Sequence, residues 1–144
     1  MRRKAMAHSH WLLKTEPSTY SYEQLLKDKS THWNGVRNFQ ARNFLQKMKR
    51  GDLALIYHSG DVRAVVGIAQ ITREGYADLD PKKPGEWCQV DLKALKALKK
   101  PVLLSEIKAN PKLADLLLIK QSRLSVMPVT PQHYEILIRL GDSK

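Results

Sequence analysis

The chain has 144 residues, of which 42% are hydrophobic, so it can bury one core and is too short for two ordinary domains. Its 25 Lys and Arg residues against 14 Asp and Glu give a formal net charge of +11, which favours a phosphate-bearing partner such as nucleic acid, although lysine-rich surfaces also serve solubility. Its one cysteine, Cys88, excludes an internal disulfide, and no Cys/His cluster has zinc-site spacing, so we expect neither metal nor cofactor.

The chain begins with MRRKAMAHSH, which is basic and lacks the apolar stretch of a secretory signal. No apolar run approaches the roughly 20 residues of a membrane helix. We therefore expect a soluble intracellular protein without a membrane partner, located in the cytoplasm or nucleoid, or in the nucleus of a eukaryote. Residues 1–9 are expected to form a disordered basic tail and residues 10–141 a single domain.

The first elements are predicted from Trp11 onward. Residues 11–14 have the character of a strand, and Pro17 ends it because proline fixes its own φ and extends the residue before it. Ser21, followed three residues later by Gln24, has the pattern of a capping box and predicts a short helix. The residues expected to be buried in that helix are Leu25 and Leu26.

A second helix is predicted from Asn38, a good N-cap, to Gly51, which would stop it after a basic last turn. Apolar residues recur at helical spacing along it. Those expected in the core are Phe44, Leu45 and Met48. Just before this helix, Arg37, Asn38 and Arg42 cluster where free backbone N–H groups and the helix dipole favour an anion.

Two strands are predicted next, Leu53 to His58 and Ala64 to Thr72, joined by a turn at Gly60 and Asp61. Gly67 inside the second strand indicates a bulge or a close approach by another group. Residues 75–87, GYADLDPKKPGEW, have the proline and glycine content of a loop.

The following segment, WCQVDLKALKALKKP, fits both strand and helix spacing, and we favour a strand closed by Pro101 because it follows a loop. Ser105 and Asn110 are candidate N-caps of one or two short helices, the second presenting an apolar side. Its inward residues are expected to be Leu113, Leu116 and Leu117.

RLSVMPV, residues 123–129, predicts an edge strand because proline cannot donate to a sheet ladder. Thr130 and Pro131 then start a last helix that Gly141 would terminate. The residues expected to face inward are Tyr134, Leu137 and Ile138. Strands mixed with short helices and no repeated βαβ unit indicate an α+β fold on a small, mostly antiparallel curved sheet or barrel.

The stretches WLLKTEP (11–17), WNGVRNFQARNFL (33–45), GDLALIYHS (51–59) and RLSVMPV (123–129) together resemble the EVE domain family, a PUA-like group. The resemblance covers nearly the whole chain after the tail. It implies a PUA-like curved β-barrel with peripheral short helices, a monomer, and a non-enzymatic module that binds a modified base, here a 5-substituted cytosine, flipped out of DNA. The sequence departs from the family pattern at PGEW and at Met127, where many relatives have Gln.

The resemblance also implies a site between the barrel and the helix after the GVRN loop. Trp33 would stack on the base, while Asn34 and Asn38 would pair with its edge. Glu16 would either satisfy a buried cluster with Lys14 and Thr15 or accept from the exocyclic amine of cytosine. The base-pocket residues would be Lys14, Thr15, Glu16, Trp33, Asn34, Gly35, Val36, Asn38, Tyr57, Ser59, Leu124 and Ser125. The phosphate-binding residues would be Arg37, Arg42, His58 and Arg123.

The candidate site residues allow other interpretations of the pocket and of the function. Strand alternation sends Tyr57 and Ser59 to one face and His58 to the other, so all three cannot line one pocket. The arginines would equally well pair with Glu16 or Asp52 and pin the motifs together. An RNA-binding module is an alternative function, since nothing in the sequence reads a 2′-hydroxyl.

An enzyme is the less favoured alternative. Lys14, Thr15 and Glu16 resemble the Lys/Thr/Glu set of small amidohydrolases of the ASCH type, acting on modified cytosine. Alternation along a strand lets Lys14 and Glu16 share a face and excludes Thr15. We therefore expect no catalytic residues.

Overall fold

The computed structural model describes residues 9–78 and 87–142. The strands are β1 (His10–Thr15), β2 (Ser30–Trp33), β3 (Leu53–His58), β4 (Ala64–Asp78), β5 (Trp87–Leu103) and β6 (Val126–Val129). The helices are α1 (Tyr22–Asp28), α2 (Phe39–Lys47), α3 (Leu104–Ala109), α4 (Leu117–Lys120) and α5 (Pro131–Asp142), with a 3₁₀ turn at Pro111–Leu113.

All strands belong to one six-stranded sheet in the order β2-β5-β4-β3-β1-β6. Among the described residues, the β1–β3 pair next to the edge strand β6 is the one parallel pair, and the other neighbours are antiparallel. The predicted α+β class and mostly antiparallel curved sheet are confirmed. The sheet is not a closed barrel, however, because β2 and β6 are its edges and no pairing within the described residues joins them. The repeated register shifts between β4 and β5 bend these long strands around the core.

Several predicted elements are confirmed with small changes of bounds. β3 spans the predicted residues, Ser21 caps α1, and β6 is an edge strand. Thr130 caps α5 by accepting the N–H of His133 at 3.1 Å. Asn110 caps the 3₁₀ turn by accepting the N–H of Lys112 at 2.9 Å. The ambiguous segment is the strand β5, as predicted.

The helix ends are where the predictions were wrong. α2 ends at Lys47, because Met48 is already extended, and the glycine expected to stop the helix, Gly51, has φ 97 in the turn that follows. Gly141 lies inside α5, where an added Cβ would collide with Leu98 of β5. Glycine at position 141 thus permits close packing of helix on sheet.

Further corrections concern burial and strand length. Leu26 is 42% exposed, while Leu25 is buried as predicted. β5 continues through Pro101 to Leu103, and α3 is capped by Glu106, which accepts the N–H of Leu103, so Ser105 is not its N-cap. Residues 75–78 extend β4, and the remainder of the predicted loop before residue 87 lies outside the described residues.

Gly67 combines both roles that its position in a strand indicated. The pairing of β4 with β5 shifts register between Val65 and Gly67, and an added Cβ would meet the ring of Tyr22. The hydroxyl of Tyr22 donates to the Ile68 carbonyl at 2.6 Å. The missing side chain therefore lets α1 lie against the sheet.

The buried carboxylate of Asp52 fixes the start of the domain. It accepts the indole N–H of Trp11 at 2.9 Å, the backbone N–H of Lys49 at 2.9 Å and that of Ser9 at 3.1 Å. The carboxylate is therefore fully committed to structure, with donors from β1 and from the turn after α2. The expected basic tail before Ser9 lies outside the described residues.

Candidate nucleic-acid interface

A pocket of about 520 Å³ opens beside the end of β1, the edge strand β2 and the loop that leads into α2. It lies next to the helix that follows the GVRN loop. Its lining residues are Lys14, Thr15, Thr19, Tyr20, Thr31, His32, Trp33, Asn34, Gly35, Val36, Arg37 and Ser125. None of these described lining residues is Asp or Glu, so the charge at the pocket wall is positive.

The loop before α2 owes its shape to Gly35 and Asn38. Gly35 has φ 80, a conformation that glycine adopts without steric cost. Asn38 is the N-cap of α2, and its side-chain oxygen accepts the N–H of Ala41 at 2.9 Å. Because both positions are fixed by backbone geometry, Val36 and Arg37 between them are held at the pocket wall.

Asp78 at the end of β4 supports this loop from behind. Its carboxylate accepts the Gly35 N–H at 2.8 Å and the Arg37 guanidinium at 2.9 Å. Burial by itself raises the pKa of Asp78, but the hydrogen bonds from Arg37 and Gly35 outweigh it, so the pKa lies below its ordinary value. Asp78 thus remains ionised and neutralises part of the charge of Arg37.

Lys14 brings a second cation to the pocket wall. Its ammonium donates to the Ser122 carbonyl at 2.7 Å and lies 5.6 Å from the centroid of the Tyr57 ring. Burial lowers the pKa of Lys14 from its ordinary value. Next to it, the Thr15 hydroxyl donates to the Tyr20 carbonyl at 2.8 Å, which leaves its oxygen lone pairs to accept from a ligand.

Trp33 lies at the pocket but is 8% exposed and belongs to the hydrophobic core. Its ring meets Tyr20 edge to face, with centroids 6.4 Å apart. Trp33 therefore forms a fixed apolar wall of the pocket, and Val36, also 8% exposed, adds to that wall. A wall of this kind suits the flat surface or the methyl group of a base.

His32 at the pocket rim is held by two residues of the neighbouring strands. Its Nδ1 lies 2.8 Å from the Asp91 carboxylate and 3.0 Å from the Tyr76 hydroxyl, and that hydroxyl also donates to Asp91. Burial raises the pKa of Asp91, but the hydrogen bonds from His32 and Tyr76 outweigh this effect and lower it. With Nδ1 engaged by this pair, Nε2 is the ring nitrogen left to a ligand.

Other expected pocket residues lie elsewhere. Glu16 follows the end of β1, and its carboxylate accepts from the N–H and hydroxyl of Ser18 at 3.4 and 3.3 Å. The structure therefore does not bring Glu16 to the pocket with Lys14 and Thr15. Tyr57 is 3% exposed in the core beneath Lys14, and Ser59 is outside the pocket lining, donating its N–H to the Thr15 carbonyl at 2.9 Å.

His58 is placed where it cannot hold a phosphate. It is 4% exposed, and its Nε2 accepts the backbone N–H of Tyr22 at 2.9 Å. Burial lowers the pKa of His58, against the opposing charges of Glu23 and Glu16. The ring is thus a neutral acceptor inside the fold.

The remaining expected residues gather near the start of α2. Asn38, Arg123 and Leu124 line a separate cavity of about 300 Å³, together with Gln40, Gln121 and Ser122. Arg42 donates to the Asn43 side chain at 2.9 Å and lies 4.8 Å from the centroid of the Phe39 ring. Within the described residues, no ion pair joins these arginines to Glu16 or Asp52, and Arg37 pairs with Asp78 instead.

β2, and with it part of the pocket, was not predicted from the sequence. No strand was predicted at Thr31 and His32, although THW alternates as a short edge strand would. Thr19 and Tyr20 were missed because a chain reversal after Pro17 carries no chemical signature. Asp78 lay in a segment predicted as a loop, so no pattern pointed to its contact with Arg37.

Two further observations bear on the class of site. Within residues 9–78 and 87–142, no group of three or more His, Cys, Asp or Glu side chains is placed to hold a metal ion. In the same part of the chain, no helix has the length and apolar character needed to cross a bilayer.

Comparison with known proteins identifies the family. The EVE domain matches residues 9–140. Thymocyte nuclear protein 1 of Gallus gallus is 33% identical over 172 residues, covering 96% of this chain and 71% of that protein. A hypothetical protein from Leishmania major has a TM-score of 0.90 at 36% identity, covering 96% of this chain and 97% of that chain. Human THYN1 protein in complex with 5-methylcytosine containing DNA has a TM-score of 0.86 at 30% identity, covering 94% of this chain and 99% of that chain. The chain therefore belongs to the EVE domain family.

Proposed function

We propose that this chain is a non-enzymatic reader that binds a 5-substituted cytosine extruded from DNA into the pocket beside β1 and β2. The observation that carries the proposal is the pocket itself, which has a volume of about 520 Å³ and a mixed polar and apolar lining without a carboxylate. This volume lies in the range of roughly 300–1,000 Å³ typical of sites for small ligands. The complex of human THYN1 with 5-methylcytosine DNA supports the choice of ligand.

The lining residues match the chemistry of a cytosine edge. Cytosine has an exocyclic amine that donates and ring atoms that accept, so its recognition needs both acceptors and donors. The Thr15 hydroxyl oxygen, the Asn34 amide and the Ser125 hydroxyl supply these groups at the pocket. Trp33 and Val36 supply an apolar surface for a substituent at C5.

The charged residues match the backbone that carries the base. Lys14 and Arg37 lie on the pocket wall, and Arg42 and Arg123 lie near the start of α2. We assign Arg37, Arg42 and Arg123 to phosphates flanking the extruded nucleotide. Phosphate contacts fix register and orientation, whereas the pocket provides the discrimination between bases.

Anisotropy binding to matched DNA and RNA oligonucleotides carrying cytosine, 5-methylcytosine or 5-hydroxymethylcytosine, each at two salt concentrations, tests the proposal. We expect a preference for one modified DNA base that persists at the higher salt. Asn34→Ala should reduce that preference, because it removes an amide from the pocket, while Gln46→Ala, an exposed amide on α2, should not.

Three outcomes would contradict the proposal. Equal affinity for all bases that is lost at the higher salt would mean that the basic surface alone binds the phosphate backbone. Tighter binding to the matched RNA would favour the RNA-binding alternative. Turnover of an N-acylated cytosine nucleoside that is lost in Lys14→Ala would favour the amidohydrolase.

A further inference from the structure

Four side chains next to the pocket form a continuous stack, which we call the aromatic ladder: Arg37, Trp87, Phe39 and Arg42. The Phe39 and Trp87 rings are stacked, with centroids 5.0 Å apart and planes 17° from parallel. The Arg37 guanidinium lies 5.3 Å from the centroid of Trp87, and that of Arg42 lies 4.8 Å from Phe39. Each cation thus lies within reach of an aromatic ring.

Phe39 is the outermost ring of the ladder. It is the first residue of α2, and 52% of its surface is exposed, against 8% for Trp87 beneath it. The other exposed large hydrophobic residues within the described ranges, such as Leu95 at 45%, are less open to water. A phenyl ring in this position contributes little to the core, although it covers Trp87.

The ladder is joined to the pocket through Arg37, which belongs to both. Neighbouring nucleotides of a duplex are spaced by about 3.4 Å along its axis. Because an extruded base stays bonded to its strand, the neighbouring steps of the duplex lie at the mouth of the pocket, which Arg37 joins to the aromatic ladder. Arg37 and Arg42 on its two sides complement the phosphates of those steps.

We propose that Phe39 is a wedge that enters the base stack beside the extruded nucleotide and occupies the space it leaves, a role that rests on the proposed function. Extruding a base costs a few kcal/mol of stacking and pairing, and an apolar side chain inserted at the step recovers part of it. The ring is held at its base by Trp87, so it enters with little loss of conformational freedom.

The test compares three DNA probes of one sequence: a 5-methylcytosine duplex, the corresponding single strand, and a duplex with an abasic site at the modified position. The single strand has no vacancy to fill, and the abasic duplex has a vacancy without a base for the pocket. Phe39→Ala should bind both duplexes about tenfold more weakly and the single strand within about twofold of the wild type. Leu95→Ala, which removes a similarly exposed side chain from β5, should bind all three probes like the wild type.

Phe39→Leu is the second variant, because leucine still covers Trp87 but has no aromatic face. We expect its unfolding midpoint to match that of the wild type and its duplex affinity to fall between those of the wild type and Phe39→Ala. An equal loss on the duplex and the single strand would overturn the wedge and make Phe39 a general contact. Unchanged affinity of Phe39→Ala for both duplexes would also overturn it.

The abasic duplex separates this proposal from the proposed function. If the wild type has no preference among modified bases, the reader function fails. A loss of affinity of Phe39→Ala for the abasic duplex would still support the wedge in that case, since no base enters the pocket there.

Discussion

The Arg37 guanidinium donates to the Asp78 carboxylate over 2.9 Å and so ties the pocket loop to the end of β4. The same carboxylate accepts the N–H of Gly35. The contact both positions the loop and offsets part of the positive charge that Arg37 presents at the pocket. Removing it should therefore affect specific and non-specific binding in opposite directions.

We expect Asp78→Asn to bind unmodified DNA more tightly at low salt and to discriminate less between bases. Without the Asp78 charge, the positive charge of Arg37 is no longer offset, so its proposed phosphate contact should steepen the salt dependence of binding by about one unit of log–log slope. The loop at Gly35 loses a charge-assisted bond, which costs about 1–3 kcal/mol of stability. Anisotropy titrations over several salt concentrations measure the slope and the discrimination together.

Asp61→Asn is the matched control for this change, because Asp61 is exposed in the β3–β4 turn and the net charge changes equally. A similar slope change in Asp61→Asn would mean that net charge alone is responsible. Retained base discrimination in a folded Asp78→Asn would exclude the anchoring role of Asp78.

The buried ring of His58 predicts a loss of stability in mild acid. Burial lowers its pKa in the fold, so the unfolded chain, with a histidine pKa near 6.5, binds the additional proton first. The contribution of His58 to the free energy of unfolding is fully present above the unfolded-state pKa. It is lost as the pH falls through that pKa, by at most about 1.4 kcal/mol per pH unit. Asp78 and Asp91 have lowered pKa values, so the stability that they contribute is lost only in stronger acid.

We expect His58→Gln to reduce the pH dependence of unfolding between pH 7 and 5, since its side-chain oxygen can still accept the Tyr22 N–H without titrating. Urea unfolding at several pH values measures this slope. His133→Gln, on α5, should keep the slope of the wild type. If His58→Gln and the wild type lose stability in parallel over this range, another group carries the effect.

The sequence predicted the fold well because local rules and packing agreed in most elements. The β3 sequence is a nearly continuous run of apolar residues, and the strand is buried along nearly its whole length. Asn38 caps α2 as expected. The end of α2 was predicted too late, because a basic last turn and a glycine indicated a stop at Gly51. The helix ends at Lys47, and the turn that follows brings Asp52 to the indole N–H of Trp11.

The site was predicted less completely, because motifs mark where chemistry is concentrated and not which side chains converge. WNGVRN does line the pocket through Trp33 to Arg37. Sequence could not reveal that His58 turns inward to accept from Tyr22, since that contact joins residues far apart in the chain. Nor could it reveal Asp78, whose partners lie in another segment.

Gly67→Ala should destabilise the fold, because its methyl group would press on the Tyr22 ring. We expect a loss of about 1–3 kcal/mol, as for other overpacked core positions, measured by urea unfolding. In a Tyr22→Ala background the ring is absent and the same change should cost much less. Equal costs in the two backgrounds would place the strain in the β4 backbone rather than in this contact.

Asn38 allows its helical role to be separated from a role in base recognition. Its oxygen accepts the Ala41 N–H, and the residue lies at the smaller cavity beside Arg123 rather than in the pocket. Asn38→Ala should lower stability by about 1 kcal/mol, whereas Asn38→Ser keeps a capping oxygen and should retain it. We also expect Asn38→Ser to retain the preference for the modified base, measured by anisotropy. A loss of that preference at unchanged stability would assign the Asn38 amide to the base edge.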